Sequence, residues 1–197
     1  YLNCSVMVSR NKNILKEVSE AMRAYNEDQN NLTKGKNKPL NKFYDGVSMD
    51  AIWAMPSLGI DPANGREIFL VKDANGIYRR TYTYDASKQI VCGDAMPKFQ
   101  GNAGMSFEYK GFGINVVVLY QYGAQMYNQT LVDKVENADL NYNVDRRIYT
   151  DRWRTPGEHK PYKGIKRLSL ADKELFDIDD TTYPTERFVQ DRNELSI

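Results

Sequence analysis

The chain has 197 residues, of which 27 are basic and 26 acidic, and its formal charge is +1. Because basic and acidic residues are nearly equal in number, the chain has no global electrostatic field that would favour nucleic acid or another polyanion. No run of about 18 apolar residues occurs, which excludes a membrane-spanning helix. Membrane-crossing β-strands are not excluded in this way, because such strands are short and apolar on one face only. The 14 tyrosines, with many Asn and Asp residues, favour β-strands joined by polar loops.

The first predicted strand covers residues 1–10, where apolar and mainly polar residues alternate. A helix is predicted next, from about residue 14 to 25, and a polar loop over residues 26–45. The apolar positions that recur at helical spacing are Ile14, Leu15, Val18, Met22 and Tyr25.

Residues 46–84 predict a β-rich block with two turns, 61–65 and 73–76, each ending in Asn-Gly. Because Asn-Gly favours hairpin turns, Glu67–Val71 should pair with Ile77–Tyr84 across the second turn. Asp61 and Asp73 invite a calcium interpretation. Both lack the ligand spacing and the bidentate Glu of a calcium-binding loop, so turn chemistry is the better explanation.

A longer hairpin is predicted from strands 98–110 and 112–127, joined by a tight turn at Lys110-Gly111. On the second strand Phe112, Ile114, Val116, Val118, Tyr120 and Tyr122 share one face. Aromatic residues lie at the ends of this face and aliphatic residues between them. A membrane-crossing strand of about 9–11 residues has this order. The half-buried strand of a soluble β-sandwich would also accommodate these residues.

Residues 129–187 show little strand character, although Leu131, Val135 and Ala138 indicate one or two helical turns. Loops of this length are usually functional or disordered. Acidic residues interleave with the Arg152-Trp153-Arg154 run, so a basic nucleic-acid groove is not predicted.

Few residues suggest chemistry. Trp53, Tyr127 and Trp153 could stack on sugar faces, but a role in the hydrophobic core of the loops is the simpler interpretation. Cys4 and Cys92 lack the spacing of a zinc or redox site, and a disulfide between them is not favoured. His159 is predicted to be a solvated loop residue. We predict no catalytic residue, no metal ligand and no cofactor, and therefore no enzyme.

Short turns at one end of the strands and long loops at the other distinguish outer-membrane barrels, with periplasmic turns and extracellular loops. The predicted strands 1–10, 98–110, 112–127 and 187–197 are separated by predicted loops 11–97 and 128–186. The sequence predicts an all-β fold: an antiparallel transmembrane β-barrel segment whose long extracellular loops carry short helices and small hairpins. Because the chain starts and stops within strands, we expect it to be a fragment that is unstable alone.

Five stretches, in this order, resemble the C-terminal half of SusC/RagA-type TonB-linked (TonB-dependent) outer-membrane transporters. They are NKNILKEVSEAMRAYN, DGVSMDAIWAMPSLGIDPANGREIFLVKDANG, GDAMPKFQGNAGMSFEYKGFGINVVVLYQYGAQMYN, RWRTPGEHKPY and TERFVQDRNELSI. The family often has an Asn-Pro-rich run where this chain has residues 93–97, which is a minor departure.

The resemblance implies that residues 1–197 are part of one C-terminal barrel domain, in a barrel of about 22 strands with an upstream plug. It further implies import of oligosaccharides or peptides across the outer membrane of a Gram-negative bacterium, a SusD-like lipoprotein partner, and TonB coupling through an absent N-terminal region. No ligand-binding residue can be carried over. The alternatives are a secreted β-sandwich module that binds carbohydrate or acts as an adhesin, and, less well supported, an enzyme with paired carboxylates.

Overall fold

A computed structural model describes residues 1–33, 37–165 and 181–197, which are mostly β with few helices. The strands are β1 (Leu2–Ser9), β2 (Ala51–Ala54), β3 (Ser57–Ile60), β4 (Glu67–Lys72), β5 (Tyr78–Thr81), β6 (Ile90–Asp94), β7 (Phe99–Tyr109), β8 (Phe112–Tyr127) and β9 (Val189–Ser196). The α-helices are α1 (Glu20–Thr33), α2 (Gln129–Leu131) and α3 (Arg147–Thr150).

The main sheet has the order β1-β7-β8-β9, and every pairing in it is antiparallel. Its strands lie within the predicted ranges 1–10, 98–110, 112–127 and 187–197. The predicted tight turn joins β7 to β8, with φ of 48° at Lys110 and 85° at Gly111. Two successive positive φ values suit the right-handed twist of a hairpin, and Gly111 adopts its value without steric cost.

A bulge interrupts the pairing of β8 with β9 between Gln121 and Ala124. The amide of Gly123 cannot join the regular ladder there, and it donates instead to Oδ1 of Asn193 at 2.8 Å. Between the flanking pairs β8 has two residues and β9 has one, so the side chains of β8 from Ala124 onward change face relative to a regular strand. Simple alternation along the sequence gave no indication of this break.

Two small sheets lie in the segment between β1 and β7. One pairs β2 with β6, and the other has the order β3-β4-β5. The predicted hairpin is confirmed, with Lys72 opposite Tyr78. Asp61 and Asp73 accept backbone N–H bonds within their own turns, from Ala63 at 2.8 Å and from Asn75 at 2.9 Å. The explanation by turn chemistry is therefore confirmed.

The helix predicted at residues 14–25 is wrong in position, since α1 runs from Glu20 to Thr33. Residues 26–33 of the predicted polar loop 26–45 therefore belong to this helix. Residues before it are held in another conformation: Leu15 donates its N–H to Val47, Val18 donates to Asp45, and Glu17 has a φ of 57°. Ser19 caps the helix by accepting the N–H of Met22. Helical spacing before Ser19 was incidental, and tertiary hydrogen bonds determined the boundary.

Helical turns follow β8 as predicted: α2 continues into one π-helical stretch, Val132–Glu136. This stretch supplies part of a hydrophobic core formed by Leu131, Val132, Val135, Ile148, Tyr162 and Phe188. Residues 34–36 of the predicted loop 26–45, and residues 166–180 of the predicted loop 128–186, lie outside the described residues.

Candidate membrane-facing sheet and loop platform

The main sheet carries one contiguous apolar surface. Register places its members side by side on four strands: Leu2, Cys4, Val6, Val8, Phe99, Gly101, Ala103, Met105, Phe107, Tyr109, Phe112, Ile114, Val116, Val118, Tyr120, Tyr122 and Leu195. We call this set the apolar face. No charged residue occurs in it, and Phe112 is 79% exposed while Val6 is 73% exposed. An exposed apolar surface of this extent needs a lipid or protein partner.

The opposite surface, the polar face, is formed mainly by polar residues and glycine: Asn3, Ser5, Met7, Ser9, Gln100, Asn102, Gly104, Ser106, Glu108, Gly113, Asn115, Val117, Leu119, Gln121, Glu194 and Ser196. Ser106 and Asn115 are cross-strand partners on it and hydrogen-bond at 3.0 Å. The alternation seen in single strands thus persists in register across the sheet.

Aromatic side chains border the apolar face at both ends. Tyr109 and Phe112 flank the turn, while Phe99 pairs with Tyr122 at the far end. Between them the face consists of aliphatic and small side chains, with Phe107 and Tyr120 as the exceptions. Aromatic residues at both ends of an apolar band are typical of strands that cross a bilayer.

Tyr120 bridges three strands on the apolar face. Its hydroxyl donates to the carbonyl oxygen of Met7 at 3.3 Å, across Gly101. A Cβ at Gly101 would lie 2.8 Å from that hydroxyl and 2.0 Å from the Met7 oxygen. The close approach therefore requires glycine, and the ring covers the surface that glycine leaves bare.

The loop residues form a packed platform rather than an open surface. Trp153 is fully buried and donates its indole N–H to Pro62 at 2.9 Å, while Trp53 donates to Lys42 at 2.9 Å. Tyr127 packs its ring on Phe188, with centroids 5.8 Å apart. Trp53 and Trp153 are therefore buried among the loops, as the simpler interpretation predicted. Tyr127 ends β8 and is half-buried, and it lines a cleft of about 250 Å³ together with Trp53.

Arg152 is also buried, so the Arg152–Arg154 run forms no continuous basic surface. Its guanidinium donates to the carbonyl oxygens of Lys163 at 3.0 Å and Glu136 at 2.8 Å. These contacts connect the segment after α3 to the π-helical stretch. Arg152 thus satisfies the carbonyls at a helix end, which would otherwise lack donors.

A charged cluster connects the loops to β9. Arg187 contacts both carboxylate oxygens of Glu67, at 2.7 and 2.9 Å, and Oε1 of Glu136 at 2.9 Å. It also donates to the carbonyl of Pro161 at 2.8 Å. Burial acts to lower the pKa of Arg187, but the two carboxylates outweigh it, so this pKa lies above the usual guanidinium value.

Sequence reasoning missed this cluster, because Arg187 lies 120 residues from Glu67 and 51 from Glu136. No local spacing encodes such a contact. In space it holds β4, the π-helical stretch and the start of β9 together. A buried arginine with two carboxylates mainly specifies one structure. Removing one of the three side chains leaves the remaining charges buried without compensation.

Neither cysteine forms a disulfide, and Cys4 lies exposed on the apolar face. Burial raises the pKa of the Cys92 thiol to about 12, so this thiol is unreactive near neutral pH.

His159 is exposed, as predicted, and lines a cleft of about 580 Å³ together with Arg187 and Leu58. Within the described residues no three His, Cys, Asp or Glu side chains group as a metal site.

Gly65 packs directly beneath Trp153, which offers a test of the platform. A Cβ at Gly65 would lie 2.3 Å from the indole ring, and the φ of 69° is itself unfavourable for alanine. We expect Gly65→Ala to cost about 1 kcal/mol for the backbone and a further 1–3 kcal/mol for overpacking. Proteolysis of the native protein measures the opening free energy of the loop.

Gly76→Ala is the matched control, because Gly76 has a φ of 82° but its nearest non-neighbouring atom lies 3.6 Å from a Cβ. It should show the backbone cost alone. Equal opening free energies for the two variants would show that Trp153 does not pack on Gly65 as described.

No protein-family model and no curated protein match the chain. Solved structures of the RagAB peptide transporter do. A chain of the RagAB peptide importer in the 'open-open' state matches with a TM-score of 0.67 and 13% identity, over 98% of this chain and 19% of that one. For the 'closed-closed' state the TM-score is 0.57 at 17% identity, over 82% and 17%.

Another structure of the RagAB peptide transporter gives a TM-score of 0.57 at 16% identity, over 82% of this chain. The described helices include none with the length and apolar character to cross a membrane. This chain spans less than a fifth of the length of the transporter chains that it matches. Its fold is therefore related to one section of a RagAB transporter chain.

Proposed function

We propose that this chain is a segment of an outer-membrane nutrient transporter of the SusC/RagA type. The observation that carries the proposal is the apolar face, which continues in register over four strands and ends in aromatic residues on both sides. Its height fits the proposal, since residues 112–122 number 11 and a tilted strand needs about 9–11 to cross the hydrocarbon layer. The likeness to RagAB structures supports the same assignment.

In this proposal the apolar face contacts outer-membrane lipid and the polar face lines the lumen of a larger barrel. The sheet ends in β1 and β9, each paired on one side only. In lipid those edges must be paired, since unpaired backbone groups are costly there. Neighbouring strands outside residues 1–197 would provide the pairing, and these residues would form part of one C-terminal barrel domain.

The packed loops have a separate role. With their own small sheets, the core around Val132 and the Arg187 cluster, they form a firm platform at the end of the sheet opposite Lys110. We assign this platform to the external vestibule and to the seat of a SusD-like lipoprotein. The solute would be a peptide or an oligosaccharide, imported with energy from TonB acting through a region outside residues 1–197. We assign the segment no catalytic step.

The test uses an antibody against a loop peptide on fractionated Gram-negative source cells, with samples run boiled and unboiled. We expect a band several-fold larger than 22.7 kDa in the outer membrane, with a mobility that changes on heating. A band near 22.7 kDa in the secreted or soluble fraction would overturn the proposal. A secreted β-sandwich module for carbohydrate binding or adhesion would then be the better assignment, since it also requires one buried sheet face.

A further inference from the structure

A cleft of about 350 Å³ lies where the main sheet meets the loops, at the end opposite the Lys110–Gly111 turn. Arg10 and Lys12, which follow β1, line it together with Lys98, which precedes β7. Asp94 is the one carboxylate among its described lining residues. The local charge is therefore about +2, although the chain as a whole is nearly neutral.

These three cations have no carboxylate partner in the described part of the chain: Arg10, Lys12 and Lys98 are exposed and form no ion pair there. Asp94 directs one carboxylate oxygen to the N–H of Met96 at 2.9 Å. Exposed cations without a carboxylate partner around a concave surface favour an anionic ligand.

One residue that lines the cleft, Arg10, contacts the aromatic border of the apolar face. The guanidinium carbon of Arg10 lies 5.7 Å from the ring centroid of Phe99, and Phe99 pairs with Tyr122. Aromatic residues of a membrane strand sit at the level of the lipid headgroups. If the apolar face contacts acyl chains, the cations beyond Phe99 lie where phosphate groups of the same lipids are found.

We propose that this cleft binds the phosphate group of an anionic membrane lipid, whose acyl chains lie on the apolar face. This inference rests on the proposed function. Arg10 is suited to a two-pronged contact with phosphate oxygens, whereas Lys12 and Lys98 supply mobile point charges. The lipid is favoured over a soluble phosphate compound because Arg10 also contacts Phe99 at the border of the apolar face, which acyl chains cover in the proposed function.

The experiment uses the full-length protein in detergent with phosphatidylglycerol or phosphatidylcholine, and native mass spectrometry to count retained lipids. The test variant is Arg10→Gln/Lys12→Gln/Lys98→Gln. Its control, Arg80→Gln/Lys88→Gln/Lys134→Gln, removes one Arg and two Lys from exposed positions that do not line the cleft. We expect the test variant to bind phosphatidylglycerol about tenfold more weakly, the change for one contact worth about 1.4 kcal/mol, and the control to match the wild type.

Asp94→Asn provides a second, isosteric variant in case the triple variant fails to insert. It keeps an acceptor for Met96 and removes the negative charge, so it should strengthen phosphatidylglycerol retention. Unchanged retention in this variant, or equal losses in the triple variant and its control, would overturn the lipid site while leaving the transporter assignment intact. Displacement of the lipid by equimolar inorganic phosphate would overturn the lipid as the source. A protein absent from the membrane would overturn both proposals.

Discussion

Replacing Val116 with arginine is expected to cost roughly 2–4 kcal/mol of folding free energy in the bilayer, because the new charge would face the hydrocarbon layer near its midplane. Val116 lies near the middle of the apolar face, between the aromatic residues at Phe112 and Tyr122, opposite Met105. The measurement is the denaturant dependence of folding into lipid vesicles, together with the amount of heat-modifiable protein in the outer membrane.

Val117→Arg is the matched control. The residue type, the substitution and the strand are the same, but Val117 belongs to the polar face, opposite Gly104, and is 47% exposed. In the lumen of a barrel an arginine remains hydrated, so this variant should fold and accumulate within about 1 kcal/mol of the wild type. A difference in stability between the Val116 and Val117 variants can therefore be assigned to the face of the sheet on which each residue lies.

A sandwich core would also reject arginine at position 116, so lipid contact needs its own measurement. A spin label on Val116→Cys, in a background without Cys4 and Cys92, should be accessible to oxygen dissolved in the bilayer and shielded from a water-soluble nickel chelate. The label on Val117→Cys should behave in the opposite way. Equal accessibility at both positions would contradict a membrane-facing sheet, whatever the stability values were.

Alternation predicted the main sheet well because each face of it contacts a single kind of environment. Residues from Phe112 to Tyr122 repeat with period two, and Gly111 marks the turn, so local sequence contained the necessary information. The pairing of β1 with β7 was beyond such reasoning, since residues 10–98 separate the two strands. So was the bulge at Gly123, whose backbone N–H donates to the side-chain oxygen of Asn193 in place of a ladder hydrogen bond.

The loops were less predictable because long-range contacts determine them. The start of α1 depends on hydrogen bonds from Leu15 and Val18 to a later loop, which no helical spacing reveals. A place for Trp153 in the hydrophobic core of the loops was the simpler of two interpretations of the sequence, whereas the need for Gly65 beneath it became visible only in space. Hydrophobic residues thus indicated burial, while polar residues with distant partners gave no signal.

The Arg187 cluster is the polar contact whose loss should matter most for the platform. Arg187→Met would leave the carboxylates of Glu67 and Glu136 buried without their cation, at an expected cost of 3–5 kcal/mol. Hydrogen exchange should then rise in peptides covering residues 129–136 and 152–163. The main sheet should retain its protection and its heat-dependent mobility, because the cluster lies in the loops and at the edge of β9.

Arg192→Met is the control, since Arg192 lies in the same strand region and forms an ion pair of the same 2.9 Å length with Glu194. The side chains of Arg192 and Glu194 are both about half exposed, so the loss of folding free energy should stay within about 1 kcal/mol. The triple variant Arg187→Met/Glu67→Gln/Glu136→Gln should recover much of the lost protection, because it removes the uncompensated charges along with the arginine. Recovery would assign the damage to buried charge. A triple variant as unprotected as Arg187→Met would show instead that the geometry of the guanidinium, which also donates to Pro161, is what holds the platform to β9.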